Sequence, residues 1–284
     1  MITFPNAKIN IGLQVTERRP DGYHNLDTIF YPIPLHDALE VIEAKGAAYD
    51  CRLHLSGVDI AGSLDSNLVV RAYRLLSADH HLPSVDIYLH KHIPTGAGLG
   101  GGSADAAAVL VGLNALFGCP LDVQELCALG ERVGADVPFC LHTGTYLAEG
   151  IGEILTKLPD MPKCHIVVCK PRASVSSKNA YGVYDTYINK QNYDHKLMLA
   201  ALEAGDIYKV ANAMGNSFEA PIGAENPEIL QIKQRMLDMK ALNAAMTGSG
   251  SVVFGIFDVI EQAHACKAVL RQLKYRTYCV KPVN

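Results

Sequence analysis

Between Gly96 and Gly102, five of seven residues are glycine. Glycine loses more backbone freedom on ordering than any other residue, so such a run disfavours both helix and strand. It marks a loop whose purpose depends on missing Cβ atoms. The flanks say what the loop connects. In Val85–Lys91, Val85, Ile87 and Leu89 recur on one face, the period of a strand. After the glycines, "ADAAAVLVGLNALF" predicts a helix that starts near Ser103 and stops at Gly118, with Pro120 just beyond. Strand, glycine loop and helix N-terminus together aim free N–H groups and a positive dipole end at one point. That is an anion site, and a polyphosphate fits it best.

The glycines admit three other uses. Gly96, Gly98 and Gly101 spell G-x-G-x-x-G, and Asp122 follows about 20 residues on, as in dinucleotide sites. There the acid must end a second strand. Asp122 instead opens a helix, with Glu125 three residues later in a capping-box pattern. A P-loop requires Lys-Ser/Thr after its glycines, and none follows. A turn without a ligand would carry the entropic cost with no compensating contact.

The rest of the chain reads as α+β. Near the start, Ile9, Ile11, Leu13 and Val15 share one strand face, and Lys8, Asn10, Gly12 and Gln14 share the other, opposite the core. Further strands are predicted at 38–44 and 51–56, and a helix at 68–76, capped by Asp65 or Ser66. The second half offers a buried strand in "CHIVVC", a polar surface connection in "TYINKQNYDHK", and helices at 197–202 and 227–239. "MTGSGS" then turns into the strand "VVFGIF", followed by a helix at 260–273 and a last strand at 278–280. Strands and helices segregate without a βαβ rhythm. The chain divides near residue 160, giving domains 1–160 and 161–284.

Composition narrows the class. The 284 residues are 49% hydrophobic and 19% charged with a net charge of −4, the balance of a globular protein without the basic footprint of a nucleic-acid binder. No apolar run reaches the ~18 residues of a membrane span, and the N-terminus lacks the apolar core of a signal peptide. A cytoplasmic protein is expected, monomeric or weakly dimeric. The eight cysteines show no metal spacing and read as free thiols. His80, His81, His90 and His92 read as solvated residues, with His90 and His92 on one strand face.

The glycine segment resembles the second motif of the GHMP kinases, standing here as Pro94, Thr95, Gly96, Ala97, Gly98, Leu99, Gly100, Gly101, Gly102, Ser103 and Ala104. "PNAKINIGLQV" at 5–15 resembles the first motif. "AMTGSGSVVFGIF" at 245–257, with Thr247, Gly248, Ser249 and Gly250, resembles the third. Within the family, "DGYH", "GADVPFCL" and "GIGEIL" are similar to the branch that phosphorylates a diphosphocytidyl alcohol in isoprenoid precursor synthesis.

The resemblance implies a two-lobed fold, an N-terminal ribosomal-protein-like lobe and a C-terminal ferredoxin-like lobe, with ATP and substrate meeting between them. It implies Lys8 and Asp136 as the catalytic pair. Asp136 would accept or orient the proton of the attacking hydroxyl, and Lys8 would offset phosphoryl charge. It implies Asn10 beside the substrate hydroxyl, Tyr23, His24 and Tyr181 around the cytidine, and Asn67 and Lys91 around the adenosine. Read alone, Lys8 is a solvated strand lysine, Asp136 a turn cap, and Tyr181 a core aromatic near Tyr184 and Tyr187. Magnesium is expected with the nucleotide. No acidic residue is its evident ligand, and Gly101 stands where other branches place a metal-contacting serine, which leaves Ser103 as a candidate. A homoserine or mevalonate kinase, and an inactive ligand-binding regulator of the same fold, are the alternatives.

Overall fold

The computed structural model describes residues 1–46, 48–60 and 62–282. In chain order its strands are β1 (Ile2–Thr3), β2 (Asn6–Arg18), β3 (His24–His36), β4 (Ala38–Glu43), β5 (Cys51–Gly57), β6 (Val85–Lys91), β7 (Tyr146–Glu149), β8 (Ile154–Lys157), β9 (His165–Lys170), β10 (Gly215–Asn216), β11 (Asn243–Met246), β12 (Val253–Phe257) and β13 (Arg276–Val280). Its helices are α1 (Leu68–His80), α2 (Gly101–Leu116), α3 (Val123–Val133), α4 (Val137–Cys140), α5 (Ser177–Thr186), α6 (His195–Glu203), α7 (Ile207–Ala213), α8 (Glu219–Glu225), α9 (Pro227–Asp238) and α10 (Ile260–Gln272). The class is α+β, as the sequence predicts.

The chain forms two compact units, each discontinuous in sequence. The first comprises Met1–Ala7, Leu35–Thr95 and Gly100–Thr143, and the second Lys8–Pro34, Gly96–Leu99 and Gly144–Asn284. Residue 160 lies inside the second.

In the first unit the sheet order is β1-β4-β6-β5, with β5 parallel and β4 antiparallel to β6. One face of this sheet, through Leu39, Val41, Leu53, Ile87 and Leu89, packs on Val69, Tyr73 and Leu76 of α1 and on Val109 and Leu113 of α2. The alternation that predicted β6 therefore holds, with Tyr88 and His90 outside. His92 is also exposed.

Helix boundaries follow local chemistry. Asn67 caps α1, its side chain accepting from the Val69 N–H at 3.1 Å. This corrects the expected Asp65 or Ser66, which lie in a separate 3-10 turn (Leu64–Ser66). The Asp122–Glu125 capping box forms as predicted at the start of α3. Helix α2 begins at Gly101, two residues earlier than the sequence suggests, because Gly100 at φ +67° supplies the left-handed residue that turns the loop into the helix.

The second unit is built on two sheets. One has the order β11-β12-β9-β13, and its pairings are antiparallel. The other, β10-β2-β3-β7-β8, takes its strands from this unit apart from the first residues of β2 and the last of β3. The core joins Leu13, Val15 and Leu26 to Val167, Val253, Ile229, Ile232, Met236 and Phe218.

Strand β3 is unforeseen in the sequence. Its Pro32 and Pro34 argue against a strand, yet they lie beyond the Thr28–Phe30 segment that pairs with β7. A second correction concerns β2. The face carrying Lys8 and Asn10 is not solvated: the two residues are 4% and 2% exposed.

The cysteines are free thiols. Burial pushes Cys164 and Cys169 up to about 12, which keeps both in the neutral form.

Candidate active site

The glycine loop is shaped at three residues by conformation and at two by space. Gly96, Gly98 and Gly100 have φ of +57°, +77° and +67°, a region that side-chain-bearing residues rarely adopt. At Gly98 there is also no room. A Cβ would strike the carbonyl oxygen of Thr247 and stand 3.0 Å from its carbon. At Gly101 a Cβ would stand 2.8 Å from Ile93 Cγ2 and 3.3 Å from Lys91 Nζ. Gly100 offers no side-chain cap to α2, so the first-turn N–H groups are left for a ligand. Ser103 sits in that turn.

Within the second unit the loop meets the first and third glycine motifs in one hydrogen-bonded web. The Lys8 N–H donates to Leu99 O (2.9 Å), the Val252 N–H donates to Ala97 O (3.2 Å), and Thr247 Oγ1 lies 3.3 Å from Gly98 O. The Asn10 N–H donates to Thr247 Oγ1 at 2.9 Å. Lys8 Nζ donates to Asn10 Oδ1 at 2.8 Å and lies 4.6 Å from the centre of the Phe30 ring. Asn10 Nδ2 donates to Thr28 Oγ1 at 2.7 Å, and that hydroxyl donates to Gly12 O. A buried ammonium is costly unless it is hydrogen-bonded. Here the Lys8 amine is buried over an aromatic face and beside the loop, hydrogen-bonded to Asn10.

The third motif is held by a residue the sequence reading missed. Asn216 of β10 donates from Nδ2 to Met246 O (2.6 Å) and Gly248 O (2.8 Å), and its Oδ1 accepts the Phe218 N–H (2.9 Å). Nothing in the sequence marks this asparagine, because its partners lie about thirty residues away on another strand. At Gly248, φ +56°, a Cβ would stand 3.1 Å from Gly98 Cα, so the two glycine turns touch backbone to backbone.

In the first unit the loop's two stems are tied by a buried charge cluster. Lys91 Nζ bonds Asp37 Oδ2 and, at 2.6 Å, Asp105 Oδ2 of α2. Asp37 Oδ1 accepts the N–H groups of His92 (2.6 Å) and Ile93 (2.9 Å). Lys91 is 2% exposed, and its ammonium binds these two carboxylates. Burial pushes the Asp105 carboxyl up to about 7, with Lys91 pulling the other way. Asp37 and Asp105 are invisible as site residues in the sequence, since they act across 54 and 14 positions respectively.

Asp136 is half-buried at the N-cap position of α4, with Pro138 following, and its side chain makes no capping bond. The turn cap read from sequence alone is therefore not formed. Helix α4 packs on α2, and a Cβ on Gly134 would stand 4.0 Å from Ser103 Oγ. The Asp136 turn and the start of α2 are thus neighbours within the first unit. Lys8 belongs to the second unit.

Around the expected base site, His24 is 6% exposed and its ring stacks on Tyr181, centroids 4.7 Å apart and planes 19° apart. Tyr181 meets Phe218 edge-on at 4.9 Å. Tyr23, next to His24, is 62% exposed. Among the described residues no group of three or more His, Cys, Asp or Glu is placed to hold a metal ion, and no helix is long and apolar enough to cross a membrane.

Known proteins resemble this chain along its length. The family model for the GHMP kinases N terminal domain matches residues 67–144, and that for the GHMP kinases C terminal matches residues 198–274. A 4-diphosphocytidyl-2-C-methyl-D-erythritol kinase of Bacteroides fragilis is 45% identical over 263 residues, which is 92% of this chain and 94% of the relative. A solved 4-(cytidine 5'-diphospho)-2C-methyl-D-erythritol kinase superposes with a TM-score of 0.83 at 34% identity, covering 100% of both chains. A homoserine kinase from Cytophaga hutchinsonii superposes at 0.71 with 18% identity, covering 98% of this chain and 94% of its own, and shares the fold.

Proposed function

Because the chain belongs to the GHMP kinase family, we propose that it transfers the γ-phosphoryl group of ATP to the 2-hydroxyl of 4-diphosphocytidyl-2-C-methyl-D-erythritol, a step toward isoprenoid precursors. It is a small-molecule kinase, with ATP as co-substrate. The observation that carries the reading is the web joining the glycine loop to Lys8, Asn10 and Thr247, in which the three family motifs meet. The cytidyl half is supported by the names of the relatives and by the His24–Tyr181 pair.

In the reaction, Asp136 accepts the proton of the attacking hydroxyl as that oxygen bonds to the γ-phosphorus. The bond to the bridging oxygen breaks and ADP leaves. Loop N–H groups at the start of α2 bind phosphate oxygens, and the Lys8 charge offsets the charge on the transferred group. Asn10, bonded to Lys8 Nζ, orients that ammonium and the hydroxyl. Tyr23, His24 and Tyr181 surround the cytosine. Asn67 lies beside the adenosine, while Lys91 acts beneath the loop through Asp37 and Asp105.

Among the described residues no cluster of three or more His, Cys, Asp or Glu is placed for a metal, and a kinase's magnesium draws most of its ligands from phosphate and water oxygens. Magnesium would enter with the nucleotide, and Ser103, in the first turn of α2, would be the side chain to contact it. The protein acts as a cytoplasmic monomer or weak dimer.

The test is direct. The protein is incubated with ATP, magnesium and the diphosphocytidyl substrate, and the 2-phosphate product is sought. CDP should compete, and homoserine and mevalonate should not. ATP binding without turnover would favour an inactive regulator and refute the reading.

A further inference from the structure

Helix α5 carries Ser177, Tyr181 and Asp185 at successive i, i+4 positions, so the three share one face. Each makes a contact of interest. Ser177 Oγ lies 3.0 Å from Ser249 Oγ of the third glycine motif. Tyr181 stacks on His24. Asp185 Oδ1 lies 2.7 Å from His24 Nε2, and Asp185 Oδ2 lies 3.4 Å from Arg18 Nη1. The Asp185–His24 contact crosses 161 residues of sequence.

An aspartate one residue from the end of a helix opposes the helix dipole. Its place there needs a compensating partner, and the partners present are Arg18 and His24. The imidazole is fixed from several sides: Tyr181 covers a ring face, Tyr184 meets it edge-on at 6.5 Å, and Asp185 holds Nε2. A carboxylate has no proton to give, so the shared proton sits on Nε2. In a neutral imidazole the other nitrogen, Nδ1, is then an acceptor.

We propose that Asp185 is a specificity-determining positioning residue: by taking the His24 Nε2–H, it leaves Nδ1 as an acceptor that reads the exocyclic amine of cytosine and rejects uracil. Uracil carries a carbonyl oxygen where cytosine carries that amine, so two lone pairs would face each other. A buried polar pair left unsatisfied discriminates far more strongly than lost apolar contact does. This inference rests on the cytidyl reading above. It adds that the base is chosen through a residue outside the family motifs and outside contact with the base.

The experiment uses the full-length protein and measures inhibition by CDP and by UDP against the diphosphocytidyl substrate. Wild type should prefer CDP by roughly a hundredfold or more. In Asp185→Ala that preference should fall at least about tenfold, and the KM for the cytidyl substrate should rise about tenfold. The KM for ATP should hold within about threefold, since the ATP loop is not touched. Asp185→Asn keeps the volume and one acceptor, and should give an intermediate ratio. A wild-type CDP:UDP ratio in Asp185→Ala overturns the inference while leaving the kinase reading standing. An Ala variant whose ATP KM and melting temperature shift together, with the ratio intact, makes Asp185 structural and also overturns it. A wild-type protein that neither turns over the cytidyl substrate nor binds CDP removes both readings.

Discussion

Replacing Gly98 by alanine tests the meeting of the two glycine turns. At φ +77° the new residue carries the left-handed penalty, about 1–2 kcal/mol. Its Cβ also lands on the Thr247 carbonyl, a backbone group with no rotamer to yield, and overpacking of that kind costs about 1–3 kcal/mol. The total is about 2–5 kcal/mol. Gly96 is the internal control. It shares the positive φ, +57°, but a Cβ there meets nothing within 4 Å, so Gly96→Ala should cost about 1–2 kcal/mol. Gly102 is a second control, helical and with only Leu68 Cδ1 at 3.5 Å, where alanine should be neutral or stabilise by up to about 1 kcal/mol. Urea unfolding at constant m-value gives the three differences. If the turns slide apart instead of straining, the energy appears as a rise in the KM for ATP, about tenfold per 1.4 kcal/mol. Gly98→Ala and Gly96→Ala matching in both unfolding energy and ATP KM would refute the claim that close approach, and not conformation alone, requires glycine at 98.

Other substitutions separate the proposed roles. Asp136→Asn should lower kcat by about 10²–10⁴ while ATP affinity, read by equilibrium binding, stays near wild type; near-normal turnover would remove it as the base. Tyr23→Ala should raise the KM for the cytidyl substrate about tenfold with little change for ATP, because base stacking on an exposed ring is what is lost. Asp105 has a folded value of about 7, above its ordinary 3.8, because of burial, so the folded chain holds a proton that the unfolded chain releases. Its stabilising contribution is complete below about pH 4 and is lost as pH rises through about 7. Thermal melts across that range should show wild type losing stability relative to Asp105→Asn as pH rises, and parallel curves would contradict the assignment.

The parts of this structure that were legible in the sequence are those governed by neighbours along the chain. The alternation of Val85–Lys91 and the Asp122–Glu125 box follow from spacing within a few residues and form as read, and the glycine loop does so up to Gly100, where α2 begins early. Lys8 and Asn10 illustrate the limit. Alternation correctly assigns them to one face, but whether that face is wet depends on Thr28, Phe30 and Thr247, which the period of β2 does not report. Strand β3 was hidden by its prolines, whose tolerance depends on where pairing with β7 ends. Asp37, Asp185 and Asn216 each complete a site through partners tens to more than a hundred residues away. A lone polar residue in such a position looks like any surface residue until the chain is folded.

The contact between Gly98 and Thr247 spans 149 residues. During synthesis the phosphate loop is therefore made long before the segment that defines its shape. Bringing such distant segments together is the slow, entropically costly part of folding. Until residue 247 has emerged, ATP has no finished cradle to bind and cannot stabilise the growing chain by mass action. A chain that stops short of residue 247 carries the glycine loop without the carbonyl against which Gly98 packs.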